Sequence, residues 1–402
     1  MLKNRFILSE INRFLDKPIN LLIVGSRQVG KSFLLKLIQN QLIARHWAQP
    51  KQILSFDMES GNDLKLVANQ TPEQFINSLY ARAALRVGTP LFVFLDEIQY
   101  IPRASSFIKL LADHFPHIRL FLTGSSSLEI KRLFSDRLTG RKVTFNLSTL
   151  TFAEYLDFNE HPLAAVWSKI NIFELMDGKI NPLKKLTAFL PEILPIYEEF
   201  VLQGGYPAPS LKINLPVRDK LLAEIRDQYA RRDVRDILNI ENVPGFNLLL
   251  GLLAAQIGNL VNTQELAVSS RLNRQTVEKY LFLLSETFII KLLTPYFRNT
   301  RQEIIKMPKV YFNDNGLRNI LIESAIPRDL ELRPDKDALT ENAVWHELSA
   351  YGITTQFWRT KTQTEVDFIL TLPDGTIVPL EVKYQLLNRA VVPSGLAAFI
   401  EK

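Results

Sequence analysis

Gly25, Gly30, Lys31 and Ser32 fall in the spacing G-x-x-x-x-G-K-[ST], written here as GSRQVGKS. A loop of this kind turns backbone N–H groups toward phosphate oxygens, and the N-terminus of the following helix adds its dipole. Lys31 supplies a cation for the β- and γ-phosphate oxygens and Ser32 a hydroxyl for Mg²⁺. Ser26, Arg27, Gln28 and Val29 complete the cradle. A glycine turn that only capped a helix would have no use for Lys31. The ligands this pattern predicts are ATP and Mg²⁺.

A second group of residues supplies what hydrolysis needs. In LFVFLDE an apolar run ends in Asp96, suited to hold Mg²⁺ through water, and in Glu97, suited to polarise the attacking water. Ordinary strand-end carboxylates look the same in isolation, but this pair follows the phosphate loop by one crossover or more. A glutamate directly after the metal aspartate favours hydrolysis over a switch that merely holds nucleotide. IRLFLTGSSS then offers the hydroxyls of Thr123 and Ser125 to the γ-phosphate or the water, with a helix N-cap as the other reading of Ser125. In LFSDRLTGRK, Arg137 and Arg141 are placed either as solvated charges or as fingers that reach a neighbouring subunit's site and stabilise transition-state charge. A finger implies an oligomer, with a hexameric ring as the first expectation.

Near the C-terminus, Glu381 and Lys383 stand two residues apart in an apparent strand, so their side chains share a face. Asp367 lies in the preceding hairpin strand and Glu341 in the helix before it. Asp367 and Glu381 can bind a divalent cation, Glu341 can add an outer ligand, and Lys383 can orient or activate water. An all-oxygen set points to Mg²⁺ or Mn²⁺. The competing reading is a decayed centre whose carboxylates form a salt-bridge network with Lys383.

These residues need elements to hold them. Apolar runs at 19–24, 53–56, 91–97, 118–124 and 143–147 alternate with helical stretches such as 72–87 and 105–115, which predicts a parallel sheet with helices on both faces. Its ligand site belongs beyond the carboxyl ends of the strands. The domains expected are an ATPase core over 1–150, a helical lid over 151–215, a winged-helix region over 216–312 and an α/β domain over 313–402. The winged-helix reading rests on TQELAVS, a turn, a helix with Val277, Leu281 and Leu284 inward, and then the apolar runs FIIKLL and KVYFN.

Composition narrows the class. The 402 residues are 47% hydrophobic and 22% charged, with a net charge of +6. This describes a globular chain of two or three domains, neither disordered nor histone-like. The absence of cysteine removes disulfides, zinc knuckles and thiol nucleophiles, and no apolar run approaches a membrane span. The expected location is cytoplasmic, without membrane contact. Between 271 and 306 seven basic residues face three acidic ones, which puts +4 of the net charge on the recognition helix and wing. That is a footprint for phosphate-backbone binding, with Arg271 as a further contact, Arg274, Gln275 and Lys279 exposed on the helix and Arg298 and Arg301 in the wing.

Taken together, GSRQVGKS, LFVFLDE, LTGSSS, LTGR, QGGYP and YARRDV resemble, in order and spacing, a group of AAA+ ATPases widespread in bacteria and archaea. The resemblance spans essentially the whole chain. It implies an ATPase core, a helical lid, a winged-helix region and a C-terminal domain similar to the PD-(D/E)XK nucleases, to whose constellation Glu341, Asp367, Glu381 and Lys383 correspond. Such nuclease folds usually continue with another helix and strand, whereas this sequence stops 19 residues after Lys383, so a truncated or minimal domain is expected. The function expected is ATP-driven remodelling of, or translocation on, branched or double-stranded DNA, such as junction branch migration, with the C-terminal domain binding or nicking it. The alternative is an ATP-dependent regulatory or defence switch whose nuclease-like domain is inactive and contacts protein. A third reading makes the nuclease the effector and ATP its licence.

Overall fold

The computed structural model describes residues 3–125, 142–170, 172–176, 186–211, 214–228, 240, 242–297, 306–322, 327–385 and 391–401. The chain divides into two compact units, one of Met1–Ser148 with Glu286–Phe288, the other of Thr149–Ser285 with Ile289–Lys402.

The first unit is built on five parallel strands: β1 (Asn20–Val24), β2 (Ile53–Asp57), β3 (Leu91–Asp96), β4 (Ile118–Gly124) and β5 (Lys142–Asn146). Their spatial order is β2-β3-β4-β1-β5, and every pair is parallel. The central strands read as continuous apolar runs because helices cover both faces, so neither side can be polar. Around them lie α1 (Ile7–Ile11), α2 (Lys31–Ala44), α3 (Gly61–Ala68), α4 (Pro72–Ala83) and α5 (Ala104–His114). Helix α4 opens with Thr71 and Gln74 capping each other's backbone and Pro72 in the first turn, a sequence-encoded start. Phe75 and Ile76 of α4 and Ile108 and Leu111 of α5 pack on Val93, Leu95, Leu120 and Leu122. Each such fully buried side chain contributes about 1.5–3 kcal/mol. The order matters for chemistry: β4 lies between the strand that feeds the phosphate loop and the strand that ends in Asp96.

The second unit opens with α6 (Phe152–Phe158), α7 (Ala164–Trp167), α8 (Ile172–Met176), α9 (Leu190–Gln203), α10 (Pro207–Ser210) and α11 (Leu215–Gln228). Phe152 anchors this part, edge-on to Trp167 at 4.9 Å and to Tyr197 at 5.0 Å. Three helices follow, α12 (Val243–Ala255), α13 (Thr263–Ser270) and α14 (Arg274–Glu286), then the antiparallel pair β6 (Ile290–Leu293) and β7 (Lys309–Phe312). Val277, Leu281 and Leu284 are buried along α14, as their spacing predicts. After α15 (Asn315–Leu321) and α16 (Lys336–Ala350) comes an antiparallel sheet in the order β10-β9-β8, formed by β8 (Thr354–Arg359), β9 (Glu365–Thr371) and β10 (Ile377–Leu380), with α17 (Ser394–Ile400) behind it. Helix α16 packs Trp345 and Leu348 on Phe357, Phe368 and Leu370, while Phe399 of α17 meets Trp358 on the other face.

The sequence suggests one strand through TIVPLEVKY, but β10 ends at Leu380. The Val382 N–H donates to Asp367 Oδ2 at 2.8 Å and so leaves the ladder. Glu381 and Lys383 therefore lie just beyond the strand.

Candidate functional site

The phosphate loop joins β1 to α2 at the carboxyl edge of the sheet. Gly25 lies so close to the chain after β5 that a Cβ there would come within 2.2 Å of the Leu147 carbonyl oxygen. Gly30 caps α2 in the left-handed region, with φ of 96°. Lys31 is 4% exposed, and its ammonium donates to the carbonyls of Gly25 at 3.2 Å and Ser26 at 3.0 Å. It also ion-pairs with Glu97 at 3.2 Å. Val29 is fully buried, and Gln28 takes a left-handed conformation with φ of 61°. Arg27 donates to the Tyr100 hydroxyl. Arg5, which sequence reasoning passes over, is 4% exposed and donates to the Val29 carbonyl at 2.7 Å and to that of Ser148 at 2.8 Å. It ties the N-terminal segment to the back of the loop.

Asp96 ends β3 beside the loop. Burial raises its carboxyl above the ordinary aspartate range, against the Ser32 and Thr123 hydroxyls, which hydrogen-bond to it and lower it. Ser32 and Asp96 thus share one point and present the oxygen donors that Mg²⁺ prefers, so the donor set fits that ion. Glu97 sits in the left-handed region with φ of 53°, a costly conformation for a non-glycine residue. Its N–H is held there by Thr123 Oγ1 at 2.9 Å, while the same hydroxyl donates to Asp96 Oδ1. Burial would push the Glu97 carboxyl up, but the Lys31 ammonium, helped by Gln99 and Arg27, outweighs it and holds the group below its usual range. It is an anion at neutral pH.

Gln99 is the second residue that the sequence does not single out. Its amide donates both to Glu97 Oε2 and to Ser125 Oγ, the latter at 2.9 Å. The structure therefore brings Lys31, Ser32, Asp96, Glu97, Thr123 and Ser125 together. Arg137, Arg141 and YARRDV lie outside the described residues, as do Arg298 and Arg301.

The QGGYP motif lies elsewhere, in the second unit, and its role is packing. A Cβ on Gly204, whose φ is 74°, would fall 2.3 Å from Asp314 Oδ1. Asp314 accepts from Gly205 N at 2.7 Å and caps α15 through Leu317 N at 2.8 Å. Burial pushes its carboxyl up to about 6 despite these donors.

Arg271, just after α13, and Arg274, Gln275 and Lys279 of α14 are all exposed. Arg274 spends part of its charge on Glu278, 2.8 Å away. Two apolar side chains on the same helices are exposed as well, Val268 at 78% and Phe282 at 51%.

At the C-terminal sheet the expected carboxylates also gather. Asp367 is pushed up to about 7 by burial and by the charges of Glu341 and Glu381, against the Val382 N–H and Lys309. Lys383 pairs with Glu381 at 2.6 Å. The residue that sequence analysis lacks is Lys309, whose ammonium lies 3.2 Å from Glu341 and in contact with Glu365. A lysine opening an otherwise apolar strand is a signal in hindsight, since a buried ammonium must find anions. Among the described residues no group of three or more His, Asp and Glu side chains is arranged to hold a metal ion. No helix there is long and apolar enough to cross a membrane.

Comparison with known proteins agrees with the geometry of the first unit. Residues 17–156 match the family described as an AAA domain, while 194–328 and 336–402 match two described as domains of unknown function, DUF8612 and DUF4143. An uncharacterized protein of Methanocaldococcus jannaschii is 25% identical over 356 residues, which cover 87% of this chain and 71% of that protein. One from Mycobacterium tuberculosis is 24% identical over 390 residues, 95% of this chain and 74% of its own length. Among solved structures, a Walker-type ATPase of Pyrococcus abyssi aligns with 80% of this chain and 96% of its own at 15% identity, with a TM-score of 0.48. The AAA match over residues 17–156 coincides with the parallel sheet, its phosphate loop and the acid pair of β3.

Proposed function

We propose that this chain hydrolyses ATP and uses the free energy to act on branched or double-stranded DNA, as an oligomer. The observation that carries hydrolysis is the convergence of Lys31, Asp96 and Glu97 through Thr123. ATP with Mg²⁺ supplies the phosphoanhydride bond. Lys31 offsets phosphate charge, and the Ser32 hydroxyl and Asp96 are the residues that would hold the metal. Glu97 is anionic, and its backbone is fixed by Thr123, so it is suited to orient the attacking water. Gln99 holds the same carboxylate from the side of Ser125, which sets its direction.

DNA contact is supported by α12–α14 with β6 and β7, which suit a winged helix, and by the exposed Arg271, Arg274, Gln275 and Lys279. A second reading, an ATP-dependent switch directed at protein, is favoured by Val268 and Phe282, since exposed apolar side chains suit a protein partner better than phosphates. The two readings separate in one experiment. The ATPase rate of the purified protein is measured with duplex, single-stranded and four-way-junction DNA at two salt concentrations. Stimulation that weakens with salt is expected for action on DNA. Equal rates with and without every DNA would assign the protein-directed reading.

A further inference from the structure

The carboxylates near the C-terminus invite a divalent cation, and the structure puts a different cation among them. Lys309 opens β7, outside the sheet that carries Glu365 and Asp367, and its residue is 3% exposed. Its ammonium pairs with Glu341 and Glu365 and faces the Phe357 ring at 5.6 Å. Tyr311, two residues on and hence on the same face of β7, donates its phenol to the same Glu341 oxygen. Other groups engage further oxygens of the cluster. Arg359 takes the second oxygen of Glu365 at 3.4 Å, Val382 N–H one oxygen of Asp367, and Lys383 one oxygen of Glu381. Among the described residues, the buried carboxylate oxygen of this cluster left without a partner is Glu381 Oε2. With an ammonium already among these carboxylates, and no three acidic side chains of the described residues arranged to hold a metal ion, the cluster does not make a Mg²⁺ or Mn²⁺ site, which draws on several oxygens in near-octahedral array.

Charge leads to the same conclusion. Four carboxylates, Glu341, Glu365, Asp367 and Glu381, already face Lys309, Arg359 and Lys383. A buried ammonium is tolerated only when paired in this way, and two carboxylates placed to meet it are a built receptor. We propose that Lys309 occupies the cation position of the C-terminal carboxylate cluster, which makes the cluster an ion-pair lock between β7 and the C-terminal sheet rather than a metal centre that cuts DNA. The residues do not fit the divalent ion that their sequence pattern implies. This inference stands whether or not the ATPase acts on DNA.

The test uses the full chain without nucleotide and Mn²⁺ alone, with free Mn²⁺ read by electron paramagnetic resonance. Wild type is expected to show no bound Mn²⁺ that Asp367→Asn removes. Lys309→Met, which keeps the length and loses the charge, is expected to gain a site at least tenfold tighter than any in wild type, lost again on adding Asp367→Asn. One Mn²⁺ bound by wild type and lost in Asp367→Asn would overturn the proposal. So would a folded Lys309→Met that gains no site, or Mn²⁺-dependent plasmid nicking by wild type that Glu381→Ala abolishes. Should Lys309→Met not fold, the wild-type comparison with Asp367→Asn still decides.

Discussion

Lys31 is held by two carbonyls of its own loop and by Glu97, so its ammonium is a counter-charge for the acid as well as for phosphate. Lys31→Ala is expected to abolish nucleotide binding in calorimetry; retained binding would refute the assignment of the loop. Glu97→Gln keeps the side-chain shape and the backbone N–H that Thr123 accepts, and loses the charge. It should bind ATP and slow turnover by about 10²–10⁴-fold in a steady-state assay, and a normal rate would remove Glu97 from the mechanism. Lys31, Asp96, Glu97 and Thr123 are legible in the sequence because motif and strand end fix them locally. Arg5 and Gln99 are not: Arg5 meets Val29 across 24 residues, and Gln99, which holds Glu97 two residues away, meets its second partner Ser125 because β4 lies beside β3. No local pattern encodes those encounters.

The strands and helices of the first unit can be read because parallel strands covered on both faces must be apolar runs, which GSRQVGKS and LDE then punctuate. The end of β10 cannot, because Val382 gives its N–H to a side chain while the strand-like alternation of the sequence runs on through Tyr384. QGGYP, which enters the sequence reading only through the family resemblance, is the seat of a helix cap. Gly204→Ala should cost a few kcal/mol or prevent folding, since the new methyl meets the Asp314 carboxylate at a positive φ. Asp314→Asn replaces an acceptor by a donor and should cost about 1–3 kcal/mol. Because burial holds the folded Asp314 carboxyl near 6, above its ordinary 3.8, its contribution to stability is fully present below about 3.8 and is lost as pH rises through about 6. Thermal melts of wild type should therefore lose more between pH 4 and 6.5 than those of Asp314→Asn, and parallel profiles would count against this role.

For the molecule as a whole, a net charge of +6 is small, and its concentration between 271 and 306 carries the argument for a polyanionic partner. The same scale holds the question of assembly. If Arg141 acts in trans, Arg141→Ala loses ATPase activity that mixing with Glu97→Gln subunits partly restores, because one kind of subunit then offers an intact site and the other an intact finger. No recovery at any mixing ratio would assign Arg141 to its own subunit or to the surface. The C-terminal cluster teaches a related lesson: Glu341, Asp367 and Glu381 are legible as a metal set, while the lysine that meets them comes from a strand that the sequence assigns to another region.

Strand β4 carries anchors at both ends. At its start Arg119 gathers the carbonyls of Phe14, Leu15 and Ile19 ahead of β1, and four residues later Thr123 fixes the acid pair. An even separation puts both side chains on one face, and the same face carries Phe121, stacked on Phe94 at 4.4 Å. A one-residue insertion or deletion between them would turn one anchor away from the other whatever residue it added or removed. The length of this strand is therefore as constrained as its composition, and homologues that diverge freely in letters there should still agree in count.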